Sequence, residues 1–292
     1  MFTLFYYCFI KPVSLLPSWL LYGISDSLSF ILFYGGFYRK SIVIKQITAS
    51  FPEKSSDEVL EITRKFYSHF CDLMVESLMI FSISREEAIR RCTISGEQVF
   101  KDLFAENKNI IIAGGHYNNW EMLAVAIDEQ IPHQAMALYT PLANKGFDRL
   151  MRNSRGKYGL QLYPKKRFWE IFEAKDGPLF AAVFGADQFP TKSKNVFWTT
   201  FLNQETCVAF GTEKYAVEQD CAVVFGRIIK VKRGCYQMDF ELITKDATKE
   251  PFGAITKKHV ALLEADIQKH PEYWLWTHRR WKRKRSPEQA LH

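Results

Sequence analysis

Hydrophobic and polar residues are distributed in two regimes along the chain. Residues 1–10 and 15–38 are almost wholly apolar, interrupted by Lys11-Pro12 and, further on, by Asp26 and several serines. Residues 41–49 continue at helical spacing up to Phe51-Pro52, and Ser55-Ser56-Asp57-Glu58 has the make-up of a helix start. From 59 to 81, Leu60, Phe66, Phe70, Leu73, Val75 and Leu78 recur close to a helical period, so about the first hundred residues read as helical. The pattern then changes. Residues 109–113 (NIIIA) form a short β-branched run between polar and glycine residues, as a buried strand does. Gly114-Gly115 ends it, and 119–127 resumes as a helix.

Further strands are expected at 133–139, 178–185, 221–229 and 236–243, with helices at 145–158, 168–174 and about 251–270. Alternating strands and helices predict an α/β fold: a mixed central sheet flanked by helices, carrying a helical N-terminal extension. No repeat or low-complexity linker divides the chain. The expected organisation is therefore a membrane-anchor segment at 1–38 and a single α/β domain at 39–292.

Composition narrows the setting. With 292 residues, 47 % apolar and 24 % charged, the chain is globular in make-up and long enough for a full core. A mean hydropathy of -0.17 excludes a polytopic transporter. The six cysteines show neither CxxC nor zinc-ligand spacing and read as buried free thiols in a reducing compartment. Aromatic residues reach 15 % in a chain of charge +7, which points to an anionic, greasy partner or to nucleic acid. Residues 1–38 lack the basic start and cleavage site of a secretory signal, and Pro17, Gly23 and Asp26 weaken them as a span. Arg39, Lys40 and Lys45 behind them fit a flank that stays cytoplasmic. Two readings compete here: the apolar face of a core helix, and an inserted or interfacial anchor. The rings of Phe2, Phe5, Tyr6, Tyr7, Trp19 and Tyr22 favour the anchor.

The sharpest chemical signal is Gly114-Gly115-His116-Tyr117-Asn118-Asn119-Trp120-Glu121, between a strand and a helix, where α/β folds bind ligands. Residues five apart on one helix do not share a face, so His116 meets Glu121 only from the preceding loop. From there His116 would act as a general base, with Glu121 fixing its tautomer and balancing the imidazolium. A capping histidine beside an ordinary first-turn glutamate gives the same spacing. No G-x-S-x-G elbow supplies a protein nucleophile, so such a base suits direct attack by a substrate hydroxyl.

This H-x4-E box resembles that of the glycerolipid and lysophospholipid acyltransferase superfamily. Its surroundings are similar to the late acyltransferases of lipid A biosynthesis, whose box usually reads H-F-G-N-W-E. Residues 16–52 resemble that family's anchor and first helix. Tyr139-Thr140-Pro141 with Asn144, Phe147 and Asp148 resembles its Y-R-P…N…D segment, and Arg155-Gly156-Lys157-Tyr158-Gly159 its R-x-R-x-G. Gly185-Ala186-Asp187-Gln188 resembles its D-Q box, and residues 271–280 (PEYWLWTHRR) its P-E-x-Y-x-W-x-H-R-R. Asn118 replaces a usual Gly, Thr140 an Arg and Lys157 a second Arg, and residues 197–211 match only loosely. Those departures bear on chain length and acceptor.

The resemblance implies transfer of a fatty acyl chain from an acyl-carrier-protein thioester, or acyl-CoA, to a hydroxyl of a lipid A precursor. It implies no metal or bound cofactor, and a place on the cytoplasmic face of the inner membrane of a Gram-negative bacterium. Catalytic roles would fall to His116 and Glu121, and substrate-binding roles to Asn119, Arg155, Lys157, Asp187 and Gln188. Arg155 and Lys157 follow Lys145, Arg149 and Arg152, so they form either a phosphate seat or a solvated helix face. Asp187 is either a turn former or a holder of a polar group. The tail HRRWKRKR from His278, with Trp274, Trp276 and Trp281, suits an anionic membrane surface or an acidic carrier protein better than nucleic acid. An O- or N-acyltransferase for another bacterial lipid, an aminolipid or glycolipid, is the alternative; a non-catalytic lipid-binding protein is a third.

Overall fold

The computed structural model describes residues 5–173, 177–190 and 195–292. The expectations for residues 1–4, Phe2 among them, and for Ala174 lie outside the described residues. The strands are β1 (Cys92–Ser95), β2 (Ile110–Gly114), β3 (Gln134–Tyr139), β4 (Gln161–Pro164), β5 (Phe180–Gly185), β6 (Val196–Phe201), β7 (Gln204–Ala209), β8 (Ala222–Lys232) and β9 (Cys235–Thr244). The main helices are α1 (Ser18–Gly35), α2 (Lys40–Ser50), α3 (Ser56–Met79), α4 (Arg85–Arg91), α5 (Gln98–Ala105), α6 (Trp120–Ala124), α7 (Lys145–Arg155), α8 (Gly211–Glu218) and α9 (Ala254–Lys269).

Seven strands form one sheet in the order β1-β9-β8-β2-β5-β3-β4. Its β8-β2-β5-β3-β4 part is parallel, while β9 returns antiparallel to β8 and carries β1 parallel to itself at the edge. β6 and β7 pair as a separate antiparallel ribbon. The period of two in NIIIA decides how β2 is buried. Ile110 and Ile112 enter the core with Phe100, Leu103 and Met122, and Ile111 and Ala113 enter another with Phe168, Ala216 and Ile255. Gly114 and Gly185 are register partners, so the carboxyl ends of β2 and β5 finish side by side.

The expected strands at 109–113, 133–139, 178–185, 221–229 and 236–243 all form, within a few residues. The capping box also forms: Ser55 Oγ accepts from Glu58 N and the Glu58 carboxylate accepts from Ser55 N. Several elements were not expected, namely β1, which interrupts the first hundred residues read as helical, β4, the β6–β7 ribbon, α5 and α8. The helix expected over 119–127 stops at Ala124.

The two ends of the chain differ from expectation in opposite ways. Short helical turns at Tyr6–Ile10 and Lys11–Ser14 precede α1 and make an angle of 107° with it. Pro17 sits at that break with extended backbone and no N–H to continue a helix. Among the described residues no single helix is long and apolar enough to cross a membrane. α1 buries Leu21 against Val75 and Met79, and Ser25 donates to Asp72 at 2.8 Å. Its opposite side exposes Trp19, Phe30, Ile31 and Tyr34. Lys40 Nζ donates to the Phe33 carbonyl at 2.7 Å, and Arg39 Nη1 donates to the Thr277 carbonyl at 2.8 Å. At the C-terminus, Trp274 and Trp276 are not at headgroup depth: they are 2 % and 0 % exposed, in a core with Phe51 and Phe201, and Trp281 packs against it. All six cysteines are free; Cys8 is exposed and Cys235 half-buried, against the expectation of burial, and the other four are buried.

Candidate active site

The box closes the gap between β2 and β5. A Cβ on Gly115 would lie 2.8 Å from a Leu263 methyl and 3.3 Å from the Cβ of Asp187, so glycine lets the loop pass this close without displacing Leu263. Asn118 takes φ 54°, the left-handed region in which asparagine is tolerated best after glycine. The exchange of the usual Gly for Asn therefore keeps the turn. Its side chain also ties the loop down, Nδ2 donating to the Ile228 carbonyl at 2.7 Å. Asn119 caps α6, its Oδ1 accepting from Met122 N at 2.8 Å, while its Nδ2 donates to Glu76 at 2.6 Å. Being 1 % exposed, it shapes the loop rather than facing solvent.

His116 sits in the loop and Glu121 in the first turn of α6, as expected, but the expected hydrogen bond between them is not the one formed. His116 Nδ1 lies 2.7 Å from Asp187 Oδ1, and its backbone N–H donates to Asp187 Oδ2 at 2.9 Å. Trp274 Nε1 donates to the same Oδ2 at 2.9 Å. Burial alone would raise the Asp187 carboxyl. The His116 ring and these donated hydrogen bonds outweigh it and hold the group well below the usual carboxylate range. An ionised carboxylate only accepts, so Nδ1 carries the proton and Nε2 is left as the basic nitrogen. The Trp120 ring meets the imidazole edge to face, with centroids 5.1 Å apart.

Glu121 is instead gripped by Arg155, whose Nε and Nη2 donate to its two oxygens at 2.7 and 2.5 Å. Trp120 Nε1 adds a third hydrogen bond, at 3.2 Å. The reason is geometric: Asp187 follows the adjoining end of β5 and meets the ring there, while Glu121 in the first turn of α6 meets Arg155 at the end of α7. Lys157 is also placed differently from expectation. Its Nζ donates to the Ile83 carbonyl at 2.6 Å, which holds the chain after α3, and it does not line the cavity described next.

His116 opens into a cavity of about 310 Å³. Arg155, Gln188, Tyr139 and Thr140 contribute to its wall, and so does Lys165, which no sequence signal had picked out. Leu123, Ile127, Leu160, Leu162, Ile228 and Met238 line its apolar part. Neither Ser nor Cys is among the described residues of its wall. Of the seven residues expected at the site, His116 and Asp187 form a hydrogen-bonded pair and Arg155 and Glu121 an ion pair beside this cavity, and Gln188 lines it. Trp274 was missed as a member, because its indole reaches Asp187 from a segment 87 residues further on. His278 accepts a hydrogen bond on Nε2 from the N–H of Phe189 at 2.9 Å, bracing the turn after Gln188.

A search of curated proteins found no match. The family model of bacterial lipid A biosynthesis acyltransferases matches residues 1–283. With nearly the whole length matched, the chain belongs to the bacterial lipid A biosynthesis acyltransferase family.

Proposed function

We propose that this acyltransferase moves a fatty acyl chain from an acyl-carrier-protein thioester to a hydroxyl of a lipid A precursor, with His116 as general base. The observation that carries the reading is that Asp187 occupies Nδ1, which leaves Nε2 of a cavity-lining histidine free to take a proton. The acyl chain lies along the apolar wall and brings the thioester carbonyl to the mouth. The substrate hydroxyl loses its proton to Nε2 as its oxygen attacks that carbonyl. When the tetrahedral intermediate collapses, the C–S bond breaks and the thiolate recovers the proton from the imidazolium. Asp187 keeps the ring in one tautomer and balances its charge. Glu121 holds Arg155, and the guanidinium edge not spent on that pair, with Lys165 at the rim, offers positive charge to an anionic acceptor or donor arm.

The organisation follows the same reading: residues 1–38 hold the chain against the membrane and 39–292 carry the chemistry. The outward face of α1, with Trp19 at 74 % and Phe30 at 64 % exposed, together with Phe37 just beyond its end at 80 %, suits the lipid interface, on the cytoplasmic side of a Gram-negative inner membrane. The test is a His116→Ala variant, expected to lose on the order of 10²–10⁴-fold in transfer while keeping its circular dichroism; near-normal product formation would sink the assignment. Mass spectrometry of lipids from cells lacking the protein reads the acceptor. Loss of one acyl chain from lipid A supports it, and a change confined to an aminolipid or glycolipid moves the assignment to those.

A further inference from the structure

A second, much smaller cavity of about 10 Å³ lies against Asp187, bounded also by Gly114, Ala186, Leu263, His259 and Arg280. That is the room of about one water molecule. Two of its walls carry polar atoms with nothing to bond. His259 Nε2 and Arg280 Nε are buried and find no hydrogen-bond partner among the described residues. The residues themselves are 3 % and 1 % exposed. Burial lowers His259 to about 4, so its ring is neutral at ordinary pH and one nitrogen can accept. The rest of Arg280 is anchored, Nη1 donating to Thr206 Oγ1 at 2.8 Å and the backbone N–H to Gln46 at 2.9 Å. Asp187 Oδ1 receives His116 Nδ1 and keeps a lone pair free.

We propose that one ordered water fills this cavity, accepting from Arg280 Nε–H and donating to Asp187 and to His259 Nε2, and that Arg280 and His259 are positioning residues for the His116–Asp187 pair. Three partners are what a buried water normally makes. Such a bridge satisfies both orphaned atoms and lets a buried guanidinium act on a buried carboxylate without direct contact. It also pins the carboxylate that aims His116. The positioning role rests on the reading of His116 as the base; the water site does not.

A high-resolution crystal structure of the full chain should show one water within hydrogen-bond distance of Asp187, His259 Nε2 and Arg280 Nε; an empty cavity overturns the proposal. That measurement uses the wild-type protein, so it stands whether or not a variant folds and whether or not His116→Ala abolishes transfer. His259→Leu removes the acceptor and displaces the water. It should lower kcat roughly three- to tenfold with both KM values unchanged, and His259→Gln should restore most of the loss. A folded His259→Leu protein with wild-type kcat overturns the positioning role.

Discussion

Glu76 on α3 and Asp187 at the end of β5 are both buried carboxylates that bind the same loop, one through Asn119 and the other through His116. Around Glu76 the polar groups answer one another. Tyr22, Asn119 and Tyr236 donate to it at 3.0, 2.6 and 2.7 Å, and neighbouring Asp72 holds Ser25, Lys230 and Arg233. Burial pushes the Glu76 carboxyl up, and none of these residues lines the large cavity. Around Asp187 the bonds lead outward instead, to a histidine whose side chain is 27 % exposed at a cavity wall. Charge is denser in the first region, and it joins α1 to the body. The proposed chemistry belongs to the second, where a ring nitrogen is left unspent at a cavity wall.

Breaking the second region has the larger expected effect. Asp187→Asn keeps the shape but cannot hold the ring in the same tautomer and charge, so kcat should fall on the order of 10²–10⁴-fold with KM little changed. Glu121→Gln should cost less in kcat, because that carboxylate meets Arg155 and not the imidazole. Steady-state rates for the two variants decide the matter: a greater loss in Glu121→Gln would return the orienting role to Glu121. In the first region, Asp72→Ala strands the cation of Lys230, while Arg233 keeps Asp26, and should destabilise the fold by about 3 kcal/mol. Its kcat per folded molecule should stay near wild type. Denaturant melts set beside active-site titration read both quantities, and a lost kcat in fully folded protein would erase the contrast between the regions.

Much of the second region was legible in the sequence because it is local. NIIIA followed by Gly-Gly-His dictates a buried strand, a tight exit and a loop histidine, and β2 with its turn follows that pattern. The pairing of His116 with Asp187 was not legible. It depends on β5 lying beside β2 in register, a parallel contact across 71 residues with no periodicity of its own. Trp274 and Trp276 were misread for a related reason. Composition shows that a segment is aromatic and basic but not which of its residues face inward, and here the indoles fill the core while Arg279 and Lys282 stay exposed. The short strands β1 and β4 carry too few residues to show alternation.

The smallest expected effect concerns Lys157, which sequence reasoning placed with the substrate and the fold places on the Ile83 carbonyl. Tyr158 Oη donates to the same carbonyl at 2.7 Å, so removing the amine leaves that acceptor satisfied. Burial lowers the Lys157 amine from 10.5 to about 8. Below pH 8 the folded chain therefore bears a charge that its surroundings disfavour. Between pH 8 and 10.5 the unfolded chain binds a proton that the folded one has released, so this group makes stability rise with pH across that window. The residue is part-exposed, which screens the effect to under about 1 kcal/mol. Lys157→Met should accordingly match or slightly exceed wild-type stability at pH 7 and lose that advantage by pH 10, with kcat and KM unchanged. Thermal melts across the pH series check the sign. A KM for the acceptor raised severalfold in the folded variant would instead make Lys157 part of the substrate seat and extend the second region across to α3.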